Sequence, residues 1–344
     1  MNEALKLTKR GLYWLKVNIA SEYGHDKLSF DEQVSWVNSQ SIEELTRLEQ
    51  SADNVFGYFC ALNAYKDHLA NQEVHYIMPV DSSNQALQLY GILAGCKKTA
   101  SLGSIGTGLT RIDAYQLLAD EMNKQFSTQL FTRKNCKKPL MTTLYGSTKG
   151  GESLHELLGD KLDKSVKEFD DAFTNSMLII APEAMNVMAR LQELNDKSVG
   201  TYNWTLPDGA KVKYDVKSRL DMNIQKKSRS GKTFSCNLTS EVYAPSEFNK
   251  GMAPNIIHSV DGYLLRQIVR GMEHLFITTI HDSFSVHPNN VDKLRQVYED
   301  SLIDILNSNL LEDIMTQIAG TQITFNKTNT LTEDDIRNSV YSLS

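Results

Sequence analysis

Phe276-Ile-Thr-Thr-Ile280-His281-Asp282-Ser283-Phe284 is the stretch on which the fold turns. Its first five residues are β-branched or aromatic, a composition that favours a short strand. The run feeds a histidine and an aspartate. A second run of this kind, Tyr76-Ile-Met-Pro-Val80, ends at Asp81. It is short and β-compatible, so it too reads as a strand. Strands from distant parts of a chain can pair in one sheet and bring their ends together. Two carboxylates so placed repel unless a cation sits between them. Oxygen ligands suit Mg²⁺, which takes one or two carboxylates together with substrate phosphates. The ordinary alternative is that each aspartate is a turn or cap residue.

A second constellation lies in Arg133-Lys-Asn-Cys-Lys137-Lys-Pro-Leu-Met141-Thr-Thr-Leu-Tyr145-Gly146. Residues 133, 137, 141 and 145 recur every four positions. On a helix they form one face carrying two cations, a thioether and a phenol. Cations suit a triphosphate, and an aromatic ring packs beside a base or sugar. An amphipathic surface helix would carry the same pattern. Pro139 should kink this helix or mark its first turn.

Outward from these segments, Leu12, Leu15 and Ile19 recur at helical spacing, as do Val55, Phe59, Leu62 and Leu69. Gly103 to Gly108 reads as a loop. The turn chemistry at Pro207-Asp-Gly209, between β-prone runs, predicts a hairpin. Ser228-Arg-Ser-Gly-Lys232 reads as a second turn, and Val291, Leu294, Tyr298 and Ile305 predict a long helix near the C-terminal end. The fold class expected is α+β, mainly helical, with a small sheet. The net charge of −6 does not mark a nucleic-acid binder, but a cleft needs only local positive potential. The stretch from Lys211 to Lys232 supplies eight Lys/Arg against two Asp. Cys60, Cys96, Cys136 and Cys236 are far apart without a Cys-x-x-Cys pair, which argues against structural zinc and a disulfide framework. A reducing cytoplasm fits, and no apolar run is long enough to span a bilayer. Gly231-Lys232-Thr233 lacks the glycine five residues earlier that a phosphate-binding loop needs, and Gly103 to Gly108 has the wrong spacing for a dinucleotide fingerprint.

Taken together and in order, these segments resemble the single-subunit RNA polymerases of phages and mitochondria. Lys137, seven residues and then Tyr145-Gly146 look like the nucleotide-binding fingers helix shared with family A DNA polymerases. His281-Asp282-Ser283-Phe284 resembles the palm motif, and Pro254-Asn-Ile-Ile-His258-Ser259-Val-Asp261 resembles the segment upstream of it. Asp81-Ser-Ser83, with Gln88, looks like the first metal-binding motif. The resemblance implies a right-hand palm with a small antiparallel sheet, drawn from residues 1–105 and 258–344, and helical fingers over 106–257. It implies that Asp81 and Asp282 bind two Mg²⁺ ions. It also implies that Arg133 and Lys137 contact the incoming triphosphate, with Lys138, Met141 and Gly146 beside them, and that Lys137 assists proton transfer to pyrophosphate. On the same resemblance Tyr145 and His258 are expected to inspect the sugar, and His281 to support the palm site. Lys226, Lys227, Arg229 and Lys232 lie where relatives carry a DNA-contacting hairpin. Ser82 stands where relatives often have Gly. The reaction this resemblance implies is attack of the growing strand's 3′-hydroxyl on the α-phosphate with release of pyrophosphate, promoted by positioning and electrostatics.

Ribonucleotides are favoured because Ala86 occupies the place of a glutamate that blocks the 2′-hydroxyl in family A DNA polymerases, and Ser283 replaces a second glutamate. The thumb and the Asp-x-x-Gly-Arg segment of relatives have no counterpart in the sequence. The pattern resembles split, two-chain phage polymerases, with a second subunit carrying the missing parts. Template DNA, nascent RNA and NTPs are the other expected partners, and a single-stranded-DNA-binding or promoter-recruitment protein is a further candidate. The expected docking face includes the helix around Leu12 to Ile19. The alternatives are a family A-like DNA polymerase or primase, and a non-catalytic nucleic-acid-binding subunit.

Overall fold

In the computed structural model, which describes residues 4–227, 231–245 and 251–344, the strands are short and most of the chain is helical. The strands are β1 (Met78–Asp81), β2 (Thr201–Thr205), β3 (Lys211–Asp215), β4 (Lys217–Lys227), β5 (Thr233–Tyr243), β6 (Ile277–Ile280) and β7 (Ser283–Val286). They form three antiparallel sheets, ordered β1-β7-β6, β2-β3 and β4-β5. The α+β class, mainly helical with small antiparallel sheets, is as expected. No helix among the described residues is long and apolar enough to cross a membrane. The chain divides into two compact units. One comprises Met1–Ser83, Leu264–Ile303 and Val340–Ser344, and the other Asn84–Tyr263 and Asp304–Ser339.

The first unit contains the β1-β7-β6 sheet. Its core gathers Leu15, Ile19, Val37, Leu45, Tyr58, Leu62 and Val74. Tyr58 is fully buried and its hydroxyl donates to the Leu45 carbonyl at 2.9 Å, so the phenol's polar end is satisfied. The Lys9–Ala20 helix starts on Thr8, whose side chain accepts from the Gly11 N–H. Two expectations change here. Leu15 and Ile19 are fully buried, so the Lys9–Ala20 helix does not offer them as an exposed apolar docking face. The Val55–Leu69 helix forms as expected, but Val55, Phe59 and Leu69 point to solvent with Phe56. Its core side runs through Tyr58, Ala61 and Leu62, because helical spacing alone does not say which stripe is covered. The helix expected near the C-terminal end is Val291–Asn307, with Val291, Leu294, Tyr298 and Ile305 all buried.

The second unit is a helical body with two hairpins. The Gln85–Ala94 helix is buried along its whole length. The expected hairpin is β2-β3, closed by residues 206–210, with Gly209 at φ +82°. Trp204 of β2 is buried and donates to the Ser259 hydroxyl at 3.0 Å. In β4-β5, Lys227 pairs with Thr233. Of the second expected turn, residues 228–230, Arg229 included, fall outside the described residues.

Candidate active site

The first unit brings Asp81, His281 and Asp282 to one end of its sheet. Alternation along β1 buries Met78 and Val80 and turns Pro79 and Asp81 outward. On β7, Phe284 and Val286 face inward and Ser283 and Ser285 do not. Asp81 pairs in register with Ser283, the neighbour of Asp282. The strand that precedes Asp282 is β6, yet β7 is the one that pairs with β1 and lies between them. β6 and β7 join through the two-residue turn His281-Asp282, since Ile280 pairs with Ser283. His281 has φ +53°, in the left-handed region that side chains other than those of Asn, Asp and His seldom enter. That turn places Asp282 at the head of β7, beside the end of β1.

Ser82 ties the two motifs together. Its N–H donates to the Asp282 carbonyl at 3.3 Å and its hydroxyl to the Asp282 carboxylate at 3.1 Å. Ser82 is buried and has no positive φ, so a side chain is accommodated where relatives often have Gly. Asp81 is exposed and Asp282 half-buried. On the other side of β1, Asp81 exchanges backbone hydrogen bonds with Ser344.

The second unit carries the nucleotide-binding candidates. Arg133–Leu144 is one helix, and Pro139 lies inside it rather than in its first turn. Arg133, Lys137 and Met141 are on its accessible side, and Lys134 and Lys138 are exposed as well. Tyr145 is not on the helix. It is the C-terminal cap, and Gly146 follows at φ +86°. The Gly146 N–H bonds the Thr143 carbonyl at 2.9 Å and the Ser147 N–H bonds that of Thr142 at 3.0 Å. This is the Schellman pattern, and it requires a left-handed residue after the cap. A side chain at Gly146 would cost about 1–2 kcal/mol. The Tyr-Gly pair is therefore a helix stop that turns the phenol off the helix axis. The Tyr90 hydroxyl, buried, donates to the Leu144 carbonyl at 2.7 Å and fixes the same end.

Tyr145 stacks on His258, with ring centroids 4.7 Å apart and planes 7° from parallel. His258 is exposed on the Met252–Gly271 helix. Two residues expected to inspect the sugar thus meet, although more than a hundred positions separate them in sequence.

Asp113 and Tyr115 are not marked by the sequence pattern. Asp113 caps the Ala114–Phe126 helix, accepting from the Tyr115 and Gln116 N–H groups, and pairs with the Arg133 guanidinium. The Tyr115 ring lies 5.3 Å from the Arg133 guanidinium carbon and 5.9 Å from Lys137 Nζ. An Asp just before a helical run is a cap signal, and its pairing with a cation twenty residues on leaves no periodic trace. Buried Asn123 sets the entry to the Arg133–Leu144 helix by bonding both backbone groups of Phe131. Lys226 and Lys227 are exposed on β4, and Lys232 is exposed just before β5. Ala86 is buried in the first turn of the Gln85–Ala94 helix, and Gln88 bonds the Gly103 carbonyl at 2.8 Å.

A family model described as DNA-dependent RNA polymerase matches residues 5–191 and 154–341. A DNA-directed RNA polymerase of Pseudomonas phage phiKMV is 25% identical, over 84% of this chain and 42% of its own length. The mitochondrial DNA-directed RNA polymerase 1 of Arabidopsis thaliana is 25% identical over 91% of this chain and 37% of its own. T7 RNA polymerase of Escherichia phage T7 is 24% identical over 90% and 45%. The chain spans less than half the length of these relatives.

Proposed function

The chain belongs to the DNA-dependent RNA polymerase family, and on that premise we propose that it is the catalytic part of a DNA-directed RNA polymerase. The observation that carries this reading is the meeting of Asp81 and Asp282 at one end of a three-stranded sheet. The reaction is template-directed transfer of nucleotides from NTPs to an RNA 3′ end.

The donor set fits Mg²⁺. Both groups are hard oxygen donors at adjacent strand ends, and the Ser82 hydroxyl orients one of them. Mg²⁺ commonly takes one or two carboxylates together with substrate phosphates, so these two side chains would be enough to hold it with substrate present. When bound, two such ions lower the pKa of the attacking hydroxyl and offset charge on the leaving pyrophosphate. Asp81 and Asp282 hold them. His281, in its left-handed turn, fixes where Asp282 stands. Lys137 gives the triphosphate a cation and passes a proton to pyrophosphate. Arg133, held by Asp113, supplies a second, oriented cation, flanked by Lys138, Met141 and Gly146. Tyr145 and His258 face the sugar as a stacked pair, and Ala86 is too small to oppose a 2′-hydroxyl. In this reading the palm comes from residues 1–105 and 258–344 and the fingers from 106–257. Because the relatives are more than twice as long, the proposal includes further polypeptide, in the form of a second subunit, to wall the RNA–DNA hybrid. The exposed Val55, Phe56 and Phe59 offer that subunit an apolar surface. The cytoplasm, with its NTP pool, is the fitting compartment. The test is extension of an RNA primer on DNA by the chain with its copurified complement. Mg²⁺-dependent ribonucleotide addition supports the reading, and deoxyribonucleotide-only addition contradicts it.

Sugar choice should run through the stacked pair. Tyr145→Phe keeps the ring on His258 but removes the hydroxyl, so preference for ribonucleotides over deoxyribonucleotides should narrow. Incorporation of each on one primed template measures it, and an unchanged ratio removes Tyr145 from sugar selection.

The β4-β5 hairpin should contact template. Changing Lys226 and Lys227 to Ala should weaken DNA binding. The slope of log affinity against log salt should fall by about one or two, roughly one unit for each phosphate no longer neutralised. Equal slopes for both proteins would make this a solvated face.

A further inference from the structure

β1 is held on both sides. On one side it pairs with β7. On the other, the Asp81 N–H donates to the Ser344 carbonyl at 3.0 Å, and the Asp81 carbonyl accepts from the Ser344 N–H at 2.8 Å. The Ser83 N–H reaches the Ser342 carbonyl at 3.3 Å, and the Ser83 hydroxyl donates to the Tyr341 carbonyl. Residues 340–344 belong to no helix or named strand; these bonds and the antiparallel Ser82–Leu343 bridge join them to β1 on one side.

Arg295, which stands on the Val291–Asn307 helix and in the same unit as residues 340–344, holds them from a second side. Its guanidinium donates from one Nη to the Leu343 carbonyl and from the other to the Val340 carbonyl at 2.6 Å. A planar fork can join two carbonyls in this way, and an ammonium cannot reproduce its fixed directions. The guanidinium is itself fixed. Its carbon lies 5.4 Å from the Trp14 ring and 5.7 Å from the Phe30 ring. Trp14 donates to Asp292 at 2.9 Å, Asp292 pairs with Arg10 at 2.7 Å, and Phe30 packs on Tyr341 with centroids 5.0 Å apart. Burial lowers the Arg295 pKa, while Glu299 and Asp292 act the other way. Arginine stays charged in proteins.

We infer that Arg295 is a positioning residue for Asp81, acting through residues 340–344. β1 has four residues, and Asp81 is its last. Without the outer segment, β1 becomes a free edge at the position where its carboxylate must keep a fixed direction. Nothing in the sequence spacing marks Arg295, because its partners are backbone carbonyls far along the chain. The role in catalysis rests on the reading of Asp81 as a metal ligand.

Arg295→Met and Arg295→Lys test this in the chain with its complement. Hydrogen exchange is followed in peptides covering 78–84, 340–344 and β6, and primed single-nucleotide addition is followed against Mg²⁺ concentration. Arg295→Met should lose protection at 78–84 and 340–344 but not in β6. The Mg²⁺ needed for half-maximal rate should rise about ten- to a hundredfold, the usual cost of losing a partner behind a metal ligand. KM for NTP should stay constant. Arg295→Lys should move the same way by less, and it carries the test if the Met variant does not fold. Unchanged protection at 78–84 overturns the clamp. Lost protection with an unchanged Mg²⁺ requirement overturns the positioning role. If the unmodified protein adds no nucleotide with any divalent ion, the polymerase reading falls, and exchange alone still decides whether Arg295 holds β1.

Discussion

Asp282→Asn is expected to abolish nucleotide addition and leave the fold in place, and Asp81→Asn should do the same. The substitution keeps the shape of the side chain. An amide oxygen can still accept from the Ser82 hydroxyl, and the backbone bonds of the β6-β7 turn are untouched. The negative charge is lost, and on the proposed reading that charge is what would hold Mg²⁺ there. Neither carboxylate has a role in the buried core, since Asp81 is exposed and Asp282 half-buried. The rate should fall by about two to three orders of magnitude or more, the scale on which charge stabilisation in a transition state acts. Primed addition at saturating Mg²⁺, with thermal unfolding as the control on the fold, measures this. A folded variant with a near-normal rate would remove the carboxylate pair from the chemistry.

Lys137→Ala is the second large effect. Lys137 is exposed, and its ring contact with Tyr115 at 5.9 Å is a weak one, so stability should hardly change. The triphosphate would lose a charge-assisted donor and, at the leaving step, a proton source. The expected loss in kcat/KM for NTP is about ten- to a hundredfold. Lys134 is the internal control. It is equally exposed on the same helix but off the line of residues 133, 137 and 141. Lys134→Ala should stay near normal. Equal losses for both variants would mean that the helix attracts substrate by general charge, with no specific seat at Lys137.

Parts of this arrangement are written in local chemistry and parts are not. The strands before Asp81 and Asp282 are legible because β-branched runs are short, apolar and end abruptly. The Val291–Asn307 helix is legible from its period. The insertion of β7 between β1 and β6 is not, because the turn that reverses the chain is His281-Asp282, without the Asn-Gly or Gly signal that marks tight hairpins. Counting in fours puts Tyr145 on the helix face. The glycine after it ends the helix one residue earlier, and the phenol leaves the face to stack on His258. Which stripe of Val55–Leu69 is buried is open at the level of sequence, since both stripes carry apolar residues and only the tertiary partner chooses. The contacts of Arg133 with Asp113, and of Arg295 with the carbonyls of Val340 and Leu343, leave no periodic signal at all.

The most direct measurement of the catalytic reading is single-nucleotide addition to an RNA primer on DNA templates that differ at one base. The chain is supplied with its copurified complement, and the four NTPs are offered separately. The expected result is addition of the ribonucleotide complementary to the template base, dependent on Mg²⁺ and absent in Asp282→Asn. Addition that ignores the template base, or that persists undiminished in Asp282→Asn, would contradict it.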